Sequence, residues 1–433
     1  MKGSKEGASA FGVPTLGSTS GVRAFGRSVT ATFATRVAGI AIGFVTLTLT
    51  TRLLGPALRG EFAVTMAALA LALQFSNGGL HASVVYWLAQ KPGQRDEVVG
   101  LLVWFSLLPV AGVCGLALLL AWAVPSLVPD VPLRLLTLAL LAAPPAMFLL
   151  LAGNAFLGLG RARAFNMVDL ATKVVGLCAV LVLLEGSLTV LFVVYALLHY
   201  AVAVGVYVQL AGAKLPSSPS WPLLRGMFAY GLRAFLVGLC MFLVLRIDLF
   251  LVNGMLGRAA AGHYSVAVQV AEILSLAAAS IAVILFPRLT SMGADRRWPS
   301  TLRVVRATAW ILGAGAIVLA VVGRPLFLGW FGPEFVPAVN ALWWLLPGLW
   351  CLGISTIFQQ HLAASGMPWF LVGATASALI ANVGLNLVLI PAFGIAGAAA
   401  ASTATYALFL GLIVWHLRRH AAGRPGERRV RVA

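Results

Sequence analysis

The sequence predicts an all-α polytopic membrane protein that crosses the bilayer twelve times. Of its 433 residues, 61% are hydrophobic and 10% are charged, and the mean hydropathy is +0.98. A water-soluble protein of this length cannot bury so much apolar surface. The apolar residues form long continuous runs, and the basic residues concentrate in alternate connections between the runs. The run lengths predict the helices, and the basic residues predict their orientation.

Twelve apolar runs reach the roughly 20 residues that a helix needs to cross the hydrocarbon core. Strands of a membrane barrel would be about 10 residues long with alternating hydrophobicity, so the run lengths favour helices. The runs cover approximately 30–52, 62–89, 98–124, 133–158, 164–184, 188–211, 228–256, 261–287, 303–323, 336–360, 367–390 and 394–417.

Lysine and arginine orient these helices. With the N-terminus in the cytoplasm, the tails and cytoplasmic connections hold 21 of the 30 basic residues, the opposite side holds 5, and 4 lie inside spans. Basic residues favour the cytoplasmic side, so this split predicts N-in, C-in and an even number of helices. The same bias, with attraction to anionic lipid, explains the net charge of +18, which in a soluble domain would suggest nucleic-acid binding.

The runs divide into two sets of six. We expect two six-helix bundles at 29–213 and 228–418, joined by a cytoplasmic linker at 214–227. Residues 1–28 are rich in Gly, Ser and Thr and lack the apolar segment of a signal peptide, so we expect a disordered cytoplasmic tail. Residues 419–433 form a basic cytoplasmic tail. The cysteines lie singly in apolar runs, which is typical of small core residues rather than disulfides or metal ligands: Cys114, Cys178, Cys240 and Cys351.

A short internal repeat relates the two halves. LGPALRGEFAV at 54–64 and LGRAAAGHYSV at 256–266 both fit LGxxxxGx[FY]xV, at an offset of 202 residues. Each copy lies at the turn between the first and second helix of its half. Because each half has an even number of helices, the halves share one orientation. Transporters built from such parallel repeats bind cargo between the halves, near mid-membrane.

Two charges interrupt the apolar stretch FLVLRIDLFLV at 242–252. Arg246 and Asp248 lie near the middle of the seventh span, where ionisable residues are costly and often functional. Two residues on a helix differ by about 200°, so the two side chains do not face each other. Each needs a partner on another helix, or water. A buried interhelical salt bridge and a role in lining a cavity both explain such charges.

Other ionisable residues lie inside spans. Asp169 and Lys173 have the i,i+4 spacing of a helical ion pair, which is either structural or part of a cavity. Arg233 lies close enough to the cytoplasmic end of its span to extend toward water. Arg36 and Glu272 lie on the first and eighth helices.

Polar residues also recur at helical spacing. Asn77 and His81, and Asn382 and Asn386, form i,i+4 pairs that either hold helices together or line a cavity. The sequence has no Gly-rich phosphate loop, zinc-ligand spacing or nucleophile elbow in a suitable context. The predicted external connections are short, which leaves no room for an external catalytic domain. We therefore expect neither an enzyme nor a bound metal or cofactor.

Four stretches resemble the polysaccharide and O-antigen flippases. These belong to a superfamily with the multidrug and toxin extrusion antiporters and the lipid II flippase. The likeness spans about 25–420. It is carried by TRLLGPALRGEFAV (51–64), FSNGGLHASVVYWLAQ (75–90), RIDLFLVNGMLGRAAAGHYSVAVQVAEIL (246–274) and NVGLNLVLIPAFGIAGAAAAS (382–402).

The resemblance implies two six-helix bundles around a central cavity, and export by alternating access. The implied cargo is an undecaprenyl-diphosphate-linked oligosaccharide, carried across the bacterial inner membrane for O-antigen, capsule or exopolysaccharide synthesis. Membrane lipid, a polysaccharide polymerase and glycosyltransferases are the implied partners, and nucleic acid is not. Cations that line the cavity would receive the diphosphate, and the matching residues here are Arg36, Arg246, Arg233 and Lys173.

Asp248 matches the Ile-Asp position of the resemblance. Together with Glu272 and Asp169, it is a candidate for coupling to a proton or sodium gradient. An ion-coupled multidrug antiporter is one alternative, although cationic drugs favour acidic cavities. The lipid II branch usually has fourteen helices, which disfavours that reading. A membrane polymerase or ligase, and a scaffold without transport, are the alternatives from other classes.

Overall fold

The computed structural model describes residues 19–421 except 126–130, 185, 213, 219 and 367. This part of the chain forms α-helices joined by short turns, with no β-strand among the described residues. In chain order the helices are α1 Thr19–Asn77, α2 Leu80–Gln90, α3 Arg95–Ala123, α4 Leu133–Leu140, α5 Ala143–Gly158, α6 Ala162–Leu181, α7 Leu188–Ala211, α8 Trp221–Leu256, α9 Arg258–Ala271, α10 Ile273–Ser291, α11 Ala294–Leu326, α12 Ala338–Ala364 and α13 Phe370–Ala421.

The described residues contain 10 helical segments that are long and apolar enough to span a membrane. Two of them, Val37–Asn77 and Phe370–Arg419, have 41 and 50 residues. Each is broken by a glycine with non-helical backbone angles, Gly55 in the first and Gly394 in the second. Since about 20 residues cross the bilayer, each of these segments provides two crossings. The described chain therefore crosses twelve times, which confirms the predicted all-α membrane fold.

The chain forms two compact units. Among the described residues, the first comprises those up to 55 together with 61–235, and the second comprises 56–60 and those from 236 onward. In the first unit α5 packs against α2, α3, α6 and α7, and in the second α12 packs against α9, α10, α11 and α13. These two helices belong to the fourth span of their respective halves. In each, 67% of an apolar 18-residue stretch of the span is buried, compared with at most 35% of the corresponding stretch in any other span. Each unit is thus built around the equivalent helix.

The observed boundaries differ from the predicted ones. Helix α1 begins at Thr19, inside the expected tail, while 1–18 and 422–433 lie outside the described residues. Helix α8 begins at Trp221, within the expected linker, and the units divide at Phe235 and Leu236. Hydropathy locates apolar runs but not the contacts that assign a turn to a unit. It therefore could not predict that Pro56–Gly60 joins the second unit.

The repeated motif has the same backbone conformation in both copies. Gly55 has φ 64° and ψ 176°, and Gly257, at the equivalent position, has φ 82° and ψ 172°. Residues with a Cβ rarely adopt such positive φ angles, so glycine permits the sharp turn into the second helix of each half. The sequence repeat therefore corresponds to the same glycine-dependent turn in both halves.

The second glycine of the motif permits a close helix contact within the second unit. A Cβ on Gly60 would lie 1.8 Å from the carbonyl oxygen of Arg258, and one on Gly262 would lie 1.9 Å from the carbonyl oxygen of Pro56. The contact is reciprocal, because Pro56 and Arg258 also occupy equivalent positions of the repeat. Only glycine at both positions lets the two backbones approach this closely.

We expect Gly60→Ala to lower the stability of the folded protein. The added methyl group meets backbone atoms that cannot rotate away, and such overpacking costs roughly 1–3 kcal/mol. Thermal unfolding of the detergent-purified protein measures the change. Gly43→Ala is the matched control, because a Cβ there meets no atom within 4 Å. Equal melting temperatures for the two variants would contradict the close contact.

Candidate functional site

A cluster of ionisable and hydroxyl side chains lies inside the second unit, where α8, α9 and α13 meet. Asp248 of α8 is 2% exposed. Its Oδ2 accepts hydrogen bonds from the Tyr264 hydroxyl of α9 at 2.5 Å and from the Ser402 hydroxyl of α13 at 3.0 Å. Its Oδ1 accepts the backbone N–H of Leu249 at 2.8 Å. One carboxyl group thus joins three helices.

These three donors explain how an aspartate is accommodated at this position. An Asp at the centre of a membrane helix costs about 2.5–3.5 kcal/mol on insertion scales. Hydrogen bonds to a charged group contribute roughly 1.5–3 kcal/mol each. The three bonds therefore offset the cost, provided that α9 and α13 hold their hydroxyl groups in place. Asp248 consequently fixes the rotation of α8 against its neighbours.

Arg246 forms an ion pair with Glu272. The guanidinium Nη1 lies 2.9 Å from Oε1 of Glu272, and Nη2 donates to Oε2 at 3.3 Å. This paired geometry uses the fork of the guanidinium and both carboxylate oxygens. The side chains are 32% and 28% exposed, respectively, so the pair is only partly covered by protein. Glu272 itself lies at the break between α9 and α10.

The two charges of α8 therefore have different surroundings. Asp248 is enclosed by neighbouring helices, whereas Arg246 lies on a partly exposed face with Glu272. The rotation of about 200° between positions two residues apart accounts for this separation. Tyr406 of α13 is buried and lies near Arg246, Asp248 and Glu272, between the two parts of the cluster.

The other predicted ionisable residues lie in the first unit. Lys173 Nζ is 2.6 Å from Oδ2 of Asp169, with side-chain exposures of 38% and 49%. The lysine side chain also packs over Gly39 of α1. Arg233 is exposed on α8. Arg36 lies on α1 three residues before Gly39, and its side chain lies outside the described part of the structure.

The predicted polar pairs make local contacts. Asn77 and His81 flank the glycines between α1 and α2, and Nδ2 of Asn77 lies 2.7 Å from Nδ1 of His81. Asn382 and Asn386 are fully buried on α13. Nδ2 of Asn386 donates to Oδ1 of Asn382 at 3.1 Å, and Nδ2 of Asn382 donates to the Thr405 hydroxyl at 3.4 Å. These asparagines bond with each other and with Thr405 inside the second unit.

Residues 25–292 match the model of the family described as "Polysaccharide biosynthesis protein". The match covers more than half of the chain. This chain belongs to the polysaccharide biosynthesis protein family. The resemblance inferred from its four sequence stretches is thereby confirmed. The matched range includes Arg246, Asp248, Tyr264 and Glu272, whereas Ser402 and Tyr406 lie beyond it.

A curated relative comes from Haloferax volcanii. This chain is 25% identical over 228 residues to that organism's "Probable low-salt glycan biosynthesis flippase Agl15". The aligned region covers 49% of this chain and 47% of the relative. The chain thus matches about half the length of this relative.

Solved structures share the fold at low sequence identity. An inward-facing multidrug resistance MATE family transporter of the MOP superfamily has a TM-score of 0.75 and 12% identity, covering 89% of this chain and 98% of its own. The lipid II flippase MurJ, in an inward closed conformation, has a TM-score of 0.70 and 13% identity, covering 90% of this chain and 87% of its own. At these identities the similarity demonstrates a shared fold.

Sequence reasoning missed three members of the cluster. A hydroxyl in an apolar helix is common and its partner depends on helix rotation, so the sequence pattern alone does not distinguish Tyr264, Ser402 and Tyr406. A signal existed for Tyr264, since the stretch that resembles the family contains both the Ile-Asp and the Gly-x-Tyr-Ser positions. Among the described residues, no group of three or more His, Cys, Asp or Glu side chains could hold a metal ion.

We expect Tyr264→Phe to destabilise the protein by about 1–3 kcal/mol, because it removes one donor from a buried carboxyl group. The decrease appears as a lower melting temperature of the detergent-purified protein. Tyr200→Phe removes the same hydroxyl from an exposed tyrosine and should have little effect. If both variants melt at the wild-type temperature, the Asp248 bonds do not hold the three helices together.

Proposed function

We propose that this protein is a flippase for lipid-linked oligosaccharides. Its cargo is an undecaprenyl-diphosphate-linked oligosaccharide, moved across the bacterial cytoplasmic membrane for the synthesis of surface polysaccharide. Membership of the polysaccharide biosynthesis family supports the pathway. The printed name of the Haloferax volcanii relative supports flipping as the activity. The polymerase and glycosyltransferases of the same pathway are its proposed functional partners.

The partly exposed side chain of Arg246, paired with Glu272 inside a span, is the observation that carries the proposal. Arg246 lies ten residues from the nearer end of the span Gly231–Leu256. At 1.5 Å per residue, that end is about 15 Å away along the helix axis. A permanent cation so far from the membrane surface is costly, and residues of this kind mark substrate or ion pathways. A diphosphate group that crosses the membrane needs such a donor, and arginine binds phosphate oxygens through two parallel hydrogen bonds.

Glu272 gives this site an exchangeable counter-ion. Its two carboxylate oxygens lie next to the two terminal nitrogens of the Arg246 guanidinium, one as an ion-pair contact and one as a hydrogen-bond acceptor. An arriving diphosphate would replace this carboxylate, so Arg246 keeps an anionic partner at each stage. The position of Glu272 at a break between α9 and α10 allows its backbone to adjust more easily than a continuous helix would. Asp248, bonded to Tyr264 and Ser402, would keep α8 in register during the exchange.

We further propose that transport follows alternating access. The second span of each half is interrupted, by Gly78 and Gly79 in the first half and at Glu272 in the second. Interrupted helices with polar residues at the break are typical of transporters. His81 and Asn77 lie at the first break, as Glu272 lies at the second. In this proposal the protein moves its cargo without chemical change and is not an enzyme.

Export should depend on the guanidinium of Arg246. We expect Arg246→Ala to abolish export, because it leaves Glu272 without its counter-ion and removes the phosphate donor. Arg246→Lys should retain part of the activity, since it keeps the charge but loses the fork. The measurement is the amount of lipid-linked oligosaccharide that accumulates in a gene deletion strain complemented with each variant.

Arg324→Ala is the control, because Arg324 is an exposed arginine of α11 outside the cluster. It should restore export fully. Normal surface polysaccharide with Arg246→Ala, at normal protein abundance, would overturn the proposed role of Arg246. No accumulation in the deletion strain itself would overturn the proposed function.

The exchange at Arg246 also offers a route for ion coupling. Protonation of Glu272, or binding of a sodium ion beside it, would release the guanidinium for the cargo. Asp248 and Asp169 are the other proposed coupling residues. We expect collapse of the proton or sodium gradient to reduce flipping in energised membrane vesicles about tenfold, and Glu272→Gln to make flipping independent of the gradient. Undiminished flipping after both gradients are collapsed would exclude coupling.

A further inference from the structure

A second cationic site lies in the first unit and shares no residue with the Arg246–Glu272 pair. A cavity of about 690 Å³ opens beside the start of α6. Its wall is formed by Gly160 and Arg161 of the turn and by the first residues of α6, with Val206 and Gln209 of α7 also lining it. By the distribution of basic residues, this turn is predicted to lie on the cytoplasmic side of the membrane.

The sequence folds this turn around a buried aromatic ring. Gly160 has a φ of 72°, which reverses the chain after α5, and the backbone N–H of Arg161 donates to the carbonyl oxygen of Phe156 at 2.8 Å. The guanidinium of Arg161 lies 4.7 Å from the centre of the Phe156 ring. This cation–π contact holds the charge near the cavity without neutralising it.

Arg163 provides a second positive charge at the same cavity. Its side chain is exposed and makes no hydrogen bond or ion pair with the described residues. None of the described residues that line the cavity is acidic. This distinguishes the site from Arg246, whose guanidinium is already bound to Glu272. Two cations without an acidic partner can accept an anion without displacing a carboxylate.

Apart from Gln209, the remainder of the cavity lining is apolar. Val168 and Val206 are buried, and Met167 and Ala171 lie on the same side of the opening. The first backbone N–H groups of α6, at its N-terminal end, add a weaker attraction for negative charge. Paired cations next to an apolar wall match an amphiphile with an anionic head group. A free inorganic anion would leave the apolar wall unused.

We propose that this cavity binds the phosphate-bearing head group of a membrane lipid at the predicted cytoplasmic face. The proposal rests on the proposed function where the lipid is the cargo, whose diphosphate would dock here before reaching Arg246. The same chemistry also fits an anionic phospholipid of the bulk membrane. Arg161 and Arg163 supply the phosphate contacts in either case, and Gln209 offers a further hydrogen-bond donor.

Binding to purified full-length protein tests the site without relying on export. The probes are farnesyl diphosphate, farnesol as the uncharged control with the same chain, and phosphatidylglycerol in phosphatidylcholine nanodiscs. We expect farnesyl diphosphate to bind about tenfold more weakly to the double variant Arg161→Gln, Arg163→Gln, because two charge-assisted contacts are lost. Farnesol should bind weakly and equally to both proteins.

Arg303→Gln with Arg306→Gln is the matched control. It removes two exposed arginines of α11, also predicted to be cytoplasmic, and lowers the net charge by the same amount. It should leave binding unchanged. Arg161→Gln also removes a packing contact with Phe156. Arg163→Gln, which leaves this contact intact, is therefore also measured alone, and thermal unfolding shows whether each variant is folded.

The outcomes separate the two lipid sources. Weaker farnesyl diphosphate binding with unchanged phosphatidylglycerol binding supports docking of the cargo head group, and weaker binding of both supports a general anionic-lipid site. Wild-type binding of both probes by the folded double variant would overturn the proposal. Export in the deletion strain remains a separate readout, so failure of this site is distinguishable from failure of the proposed function.

Discussion

The hydrogen bonds of Asp248 are the constraint on which the second unit depends. A carboxyl group inside a membrane helix must find donors within the protein, because the lipid offers none. Tyr264 and Ser402 supply them from α9 and α13, so these helices and α8 have a fixed mutual rotation. That rotation in turn places Arg246 on the partly exposed side, within reach of Glu272. The buried Asp248 thus orients Arg246, the charge that is available to cargo.

The two cationic sites suit different stages of cargo transport. Arg246 lies well inside a span, where a guanidinium needs an anionic partner at all times, and Glu272 provides one until cargo arrives. Arg163 is exposed at the N-terminal end of α6, where water can stabilise an unpaired charge. A cation without a carboxylate partner therefore costs little free energy at the membrane surface but much more inside a span. In our account, capture takes place at the surface and exchange inside the membrane.

Much of the architecture was predictable from the sequence. Run length predicted the twelve crossings, and the LGxxxxG motif predicted a repeated turn that Gly55 and Gly257 form with the same backbone angles. The i,i+4 spacing predicted the pairing of Asp169 with Lys173, because both lie on one helix. Pairings between helices were not predictable. Glu272 is 26 residues from Arg246, and Ser402 is 154 from Asp248, so their contacts depend on helix rotation and depth rather than on sequence spacing.

Flipping by the purified protein tests the central claim most directly. Purified protein would be placed in liposomes that carry an undecaprenyl-diphosphate-linked oligosaccharide labelled on its sugar. An impermeant reagent that destroys the label would report how much of it has reached the outer leaflet. We expect the label on the inner leaflet to become accessible over time in protein-containing liposomes and to stay protected in empty ones. Protection that is equal in both, with correctly folded protein present and any required ion gradient imposed, would contradict it.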